Sequence, residues 1–202
     1  MGRPALDLRS LRGLILAGLA MGAALAAVMT AWELAKRLPV SRPAAPVRPP
    51  AAAEAAPPED LRSRGLEFPV AGIPRMVTNS FDEPRRGARL HHAVDIMAPR
   101  GSPVRAVDEG TIVKLTSGGA GGTSVYEYDA GERYCYYYAH LQGYAAGLRE
   151  GEKVSRGEVI GYVGTSGNAP ANAPHLHFAI FRLDDQKRWW TGAPVNPYPL
   201  LH

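Results

Sequence analysis

Cysteine is nearly absent from this chain: of 202 residues only Cys135 carries a thiol. That excludes an intramolecular disulfide framework and leaves the redox compartment undetermined. Excess charge is missing from most of the sequence as well. Residues 1–58 hold seven Lys/Arg against Asp7, Glu33 and Glu54 and account for the whole formal net charge of +4, whereas residues 59–202 carry sixteen charges of each sign. A basic isoelectric point thus reports a basic tail, and the balanced remainder lacks the positive field of a nucleic-acid binder. There is no internal repeat of the kind that builds solenoids. Beyond residue 61 there is no amphipathic helical run of ten residues, so the body of the protein is expected to be mainly β.

What the tail does have is a long apolar run. From Gly13 to Trp32, "GLILAGLAMGAALAAVMTAW" contains no charged residue, and twenty helical residues span about 30 Å, the hydrocarbon thickness of a bilayer. Residues 1–37 are therefore expected to form an N-terminal membrane anchor crossing once at 13–32. Arg3, Arg9 and Arg12 precede it and would keep the N-terminus in the cytoplasm, although Lys36 and Arg37 on the far side weaken that bias. A cleaved signal peptide competes, with "ALA" at Ala24–Ala26 as a small-residue site. Residues 38–60, with seven prolines and many alanines, read as a semi-rigid extended linker. Residues 61–202 are left as the folded domain.

That domain is written in short β-type runs cut by Gly, Pro, Asn and Asp. Gly110–Ser117, Thr123–Asp129, Arg133–Leu141, Glu158–Gly164 and His175–Phe181 read as strands, with a hairpin tip at "DAG", Asp129–Gly131. The expectation is a compact antiparallel sheet of barrel-sandwich-like architecture.

Histidine is scarce and clustered. Of six, His91 and His92 lie in "RLHHAVDI", His140 in "YYYAHL", and His175 and His177 in "APHLHF"; His202 stands apart. Alternation along a strand points His175 and His177 the same way and Leu176 and Phe178 into the core. The same rule groups Tyr134, Tyr136, Tyr138 and His140 on one face of their strand, with Cys135, Tyr137, Ala139 and Leu141 opposite. His91 and Asp95, four apart, suit one face of a strand or a loop entering one. Imidazole and carboxylate are costly to bury unless paired or metal-bound, and both suit zinc, which in catalytic sites takes three protein ligands and keeps one position for water.

"HHAVD", "YAHL" and "PHLHF", in that order and separated by "APRGSPVRAVDEGTIV" and "LREGEKVSRGEVIGYVGTSGN", resemble the lysostaphin/LytM-type zinc metallopeptidases that cut peptide cross-links in bacterial cell walls. The resemblance covers a motif core at residues 79–181. It implies one Zn2+ per domain held by His91, Asp95 and His177, with His140 and His175 as catalytic histidines acting on a metal-activated water. His92, with the wrong spacing to Asp95, is implied to be a spare. The implied substrate is the stem peptides of peptidoglycan. Together with the apolar run, the resemblance implies a single-pass protein of the cytoplasmic (inner) membrane whose catalytic domain sits in the periplasm or extracytoplasmic space.

The chain departs from the family pattern in places. Ala93 replaces the usual Gly two residues after the first ligand, "FDEP" stands where Phe-Gly is usual, Ala179 follows "HLHF" in place of Glu, and the approach to H-x-H is the longer "TSGNAPANAP". These changes touch the groove rather than the ligands. The alternative reading is a non-catalytic regulator of other wall hydrolases built on the same fold, against which the complete motif set argues. A lipoyl- or biotin-carrying half-barrel lacks its lysine at the hairpin tip. A cysteine peptidase is disfavoured because Cys135 is expected to be a buried, inert thiol. Tyr138 is a candidate for substrate contact, and Trp189 and Trp190 are expected to form a hydrophobic cover.

Overall fold

The structure is a computed structural model, and it describes residues 57–85, 87 and 89–201. The expected anchor at 13–32 and most of the expected linker lie outside these residues. Among the described residues no helix is long and apolar enough to cross a membrane.

Among the described residues one turn of helix, α1 (Glu59–Arg62), precedes nine strands: β1 (Val94–Met97), β2 (Pro103–Arg105), β3 (Gly110–Thr116), β4 (Thr123–Asp129), β5 (Tyr134–Tyr144), β6 (Lys153–Val154), β7 (Val159–Val163), β8 (His175–Arg182) and β9 (Ala193–Val195). All pair antiparallel in one sheet, in the order β1-β8-β5-β4-β3-β6, with β9 extending β8 and β2 joined through β7 to β5. The mainly β, antiparallel expectation holds, and the five strands read from the sequence are β3, β4, β5, β7 and β8. The sheet is not a closed barrel. Its ladder ends at β1 and β6, and the eleven-residue β5 changes partner along its length, pairing with β4 and β8 first and with β7 at Leu141–Tyr144.

The β4–β5 hairpin is closed by the Asp129 carboxylate, which accepts the backbone N–H groups of Gly131, Arg133 and Tyr134. One face of the sheet is the core. Val94, Ile96, Ile112, Val125, Tyr136, Tyr138, Leu176, Phe178 and Ile180 are fully buried there, and they pack with the buried Leu61, Leu66, Phe68 and Val70 from the segment preceding the sheet and Leu200 and Leu201 at its end. That apolar burial is the main stabilising term of the domain. The core also takes in Glu127, whose Oε2 accepts the Tyr138 hydroxyl at 2.7 Å while Oε1 is buried without a partner. Burial pushes the Glu127 carboxyl up to about 8.

Candidate metal centre

The opposite face carries the chemistry. Asp95 on β1 stands directly opposite His177 on β8, and His177 directly opposite Ala139 on β5, so the three share one face. His175 pairs with Met97 on that same face, while Leu176 and Phe178 are fully buried on the other, as alternation requires.

His91 arrives from the loop before β1. Its Nε2 lies 3.0 Å from Asp95 Oδ1 and 3.0 Å from His177 Nδ1, and His177 Nδ1 lies 3.0 Å from Asp95 Oδ1. Three donor atoms thus form a nearly equilateral triangle. Ligand atoms about 2.0–2.2 Å from a tetrahedral zinc stand about 3.3–3.5 Å apart, so the triangle is close to one face of such a shell. Among the described residues this is the one His/Cys/Asp/Glu trio close enough to hold a metal ion. The set of two imidazoles and one carboxylate fits zinc with a position left for water.

Two of the three donors are oriented from behind. The Nδ1–H of His91 donates to the Ser80 carbonyl at 3.1 Å, which leaves a lone pair on Nε2. The second oxygen of Asp95 accepts from Arg85 at 2.8 Å. Burial opposes ionisation of Asp95, but the adjoining His177 and His91 rings hold its carboxyl well below the usual carboxylate range. Burial likewise pushes His177 down, which favours the neutral form of the ring that a metal requires.

His140 and His175 stand beside this triangle without joining it. Their rings are 5.0 Å apart between centroids, and His140 is 5.6 Å from His177. His175 donates from Nδ1 to the Ala173 carbonyl at 2.8 Å, and His140 from Nδ1 to the Ser166 carbonyl at 2.9 Å. Both therefore keep a lone pair on Nε2; the Nε2 of His175 is 3.9 Å from Asp95 Oδ1. Burial, then the neighbouring His177, lowers His140 to about 4.

All five residues named from the sequence come together, but the strand argument that placed His140 was wrong. Register runs Val125–Tyr138 and then Thr123–Leu141, so Ala139 and His140 oppose Ser124 alone in a β-bulge. His140 has φ 63° there, and its side chain swings to the metal face instead of following Tyr134, Tyr136 and Tyr138. Tyr138 is fully buried in the core and cannot contact substrate. The tyrosine nearest the site is Tyr137, whose ring meets His177 edge-on at 6.0 Å. Cys135 consequently shares the ring-bearing face with Tyr137, yet it is fully buried and its thiol is pushed up by burial, so the inert reading stands.

His92 turns away: at φ 53° its ring packs 5.4 Å from Phe81. Trp189 packs edge-on against Tyr126 as a cover, whereas Trp190 is 60% exposed. Ser80, Arg85 and Ser166 are absent from the sequence reading. Arg85 and Ser80 act across loops, and neither spacing nor residue type marks them.

Comparison with known proteins agrees with this geometry. An L-Ala--D-Glu endopeptidase of Bacillus subtilis is 34% identical over 120 residues, 57% of this chain and 35% of its own length. Lysostaphin of Staphylococcus simulans is 35% identical over 92 residues, 44% of this chain and 17% of its own. The chain thus spans about a third or less of these relatives. Among solved structures, LytM from Ruminococcus gnavus superposes with a TM-score of 0.58 at 27% identity, covering 70% of this chain and 61% of that one. Helicobacter pylori Csd3 gives 0.51 at 26% identity, covering 68% and 34%. Residues 89–197 match the description of peptidase family M23, more than half of the chain, and they contain all five site residues: the chain belongs to peptidase family M23.

Proposed function

We propose that the protein is a zinc-dependent endopeptidase that hydrolyses peptide cross-links of peptidoglycan. The observation that carries this reading is the triangle of His91 Nε2, Asp95 Oδ1 and His177 Nδ1, with edges of 3.0 Å, flanked by two further histidines with free Nε2 atoms. Zinc held there would supply an acidified water and a Lewis acid for the scissile carbonyl.

The chain's own residues do the rest. His140 and His175, each fixed by a carbonyl at Nδ1, present Nε2 lone pairs to the same space. One accepts a proton from the attacking water, and the other steadies the developing oxyanion or protonates the leaving amine. Arg85 fixes the Asp95 carboxylate and balances its charge. The wall-peptide substrate is supported by the names of the relatives, an L-Ala--D-Glu endopeptidase and lysostaphin. The uncharged run Gly13–Trp32 and the proline-rich stretch after it support a single-pass anchor in the cytoplasmic membrane and a spacer that carries the domain outside it.

The test uses the full chain in detergent: metal analysis, then mass spectrometry of products from purified cross-linked wall fragments. About one zinc per chain and newly freed stem peptides are expected, with both abolished by chelator and in His91→Ala. Bound zinc with no cleavage of any wall peptide would replace this reading with the non-catalytic regulator.

A further inference from the structure

Two glycine-bearing loops far apart in sequence meet beside His140. One, residues 118–122, joins β3 to β4; the other, 164–168, joins β7 to the approach to β8. They approach so closely that no side chain fits between them. A Cβ at Gly122 would lie 2.3 Å from Ser166 Oγ and 2.4 Å from the Gly167 nitrogen, and a Cβ at Gly167 would lie 2.2 Å from the Ala120 oxygen. Both glycines also have left-handed backbones, with φ +65° and +70°. The contact is fastened on each side: Thr123 N–H donates to Ser166 Oγ at 2.9 Å, and Asn168 N–H to the Ala120 carbonyl at 2.9 Å.

His140 is tied to both loops. Its backbone N–H donates to the Gly121 carbonyl at 2.9 Å, and its ring Nδ1–H donates to the Ser166 carbonyl at 2.9 Å. One loop holds the main chain at the bulge and the other holds the ring. The distance between ring and main-chain anchors is then set by how closely Gly122 and Gly167 approach.

We propose that the Gly122–Gly167 contact, with Ser166, is a clamp that fixes the rotation and tautomer of the His140 ring. Gly122, Ser166 and Gly167 are positioning residues for the reaction. The proposal rests on the reading that His140 acts on the substrate. A methyl group at either glycine forces the loops apart and draws the Ser166 carbonyl off Nδ1. The ring then loses the bond that keeps the proton on Nδ1 and the lone pair on Nε2, and a displacement of about 1 Å is enough to lower a rate by about 100-fold.

The test compares the full chain, zinc-loaded, as Gly122→Ala, Gly167→Ala, Ser166→Ala and Gly119→Ala. Gly119 is the control: its φ is +64°, equally strained for alanine, but no atom lies within 4 Å of the added Cβ. The readouts are bound zinc, kcat and KM on wall fragments, and the long-range 1H–15N spectrum of 15N-histidine protein, which reports the tautomer of each ring.

Gly122→Ala and Gly167→Ala are expected to lower kcat by about 100-fold with KM within about twofold, keep their zinc, and lose the Nδ1–H signature of His140. Gly119→Ala keeps both rate and signature. Ser166→Ala, which loses only the Oγ bond, falls between. A clamp variant that behaves like Gly119→Ala, or one that loses kcat with the tautomer unchanged, overturns the proposal. If the glycine variants do not fold, Ser166→Ala decides: unchanged rate and signature overturn it, and a partial loss of both supports it. Failure of the catalytic reading itself shows separately, as a His140→Ala variant of normal rate.

Discussion

Ala139 lies directly opposite His177 across β5 and β8, so regular pleating would send the next residue, His140, to the core. The bulge at this point, with φ 63° at His140, returns the ring to the metal face, 5.6 Å from His177. One extra residue in a strand therefore separates a core-facing histidine from one that faces the donor triangle.

His140→Ala and His175→Ala should each lower kcat by about 100-fold or more, the scale of a lost general acid or base, while bound zinc stays at about one per chain. Metal analysis beside steady-state kinetics reads both. A rate within about threefold of the parent for either variant removes that residue from the mechanism.

Arg85→Ala should weaken zinc affinity by roughly 10–100-fold, as removal of a partner to a metal-ligating side chain does. The guanidinium holds the Asp95 oxygen that faces away from the donor triangle at 2.8 Å. Lysine restores charge without the planar fork, so Arg85→Lys should recover only part of the affinity. Competition with a chromogenic chelator measures it.

Glu127 makes stability depend on pH. Its carboxyl is pushed up to about 8 by burial, so the folded state binds a proton that the unfolded chain releases near its ordinary value of about 4.3. The folded state is favoured below that value and loses this advantage as pH rises through about 8. Glu127→Gln should flatten this dependence and raise the midpoint of thermal unfolding above pH 8, with little change at pH 4. An equal shift at both pH values would show that Glu127 is ionised in the fold.

Alkylating reagents should leave activity intact, since the Cys135 thiol is fully buried and burial pushes it up. Cys135→Ala is expected to cleave wall peptides within about threefold of the parent rate, because an inert buried thiol contributes packing rather than chemistry. Inactivation by iodoacetamide in the folded, zinc-loaded protein would contradict this.

The residues of the site could be named from the sequence because scarcity makes them conspicuous. Five of six histidines fall in three short motifs, and the resemblance those motifs carry assigned His91, Asp95, His177, His140 and His175 without coordinates. Strand-type composition likewise revealed β3, β4, β5, β7 and β8, since a half-buried strand leaves its period in the chain. The short β2, β6 and β9, two or three residues each, leave too few residues for any period to register.

What the amino-acid order determined by itself, then, is chemistry and local form: which donors exist, which runs are extended, and which thiol stands alone. Only the tertiary structure decided which way those donors face and what holds them. The bulge at His140, the reach of Arg85 to Asp95 and of Ser80 to His91, and the approach of Gly122 to Gly167 all depend on contacts between loops distant in sequence. Side-chain direction at a bulge is fixed by the register of the neighbouring strands, and no short-range pattern encodes that register.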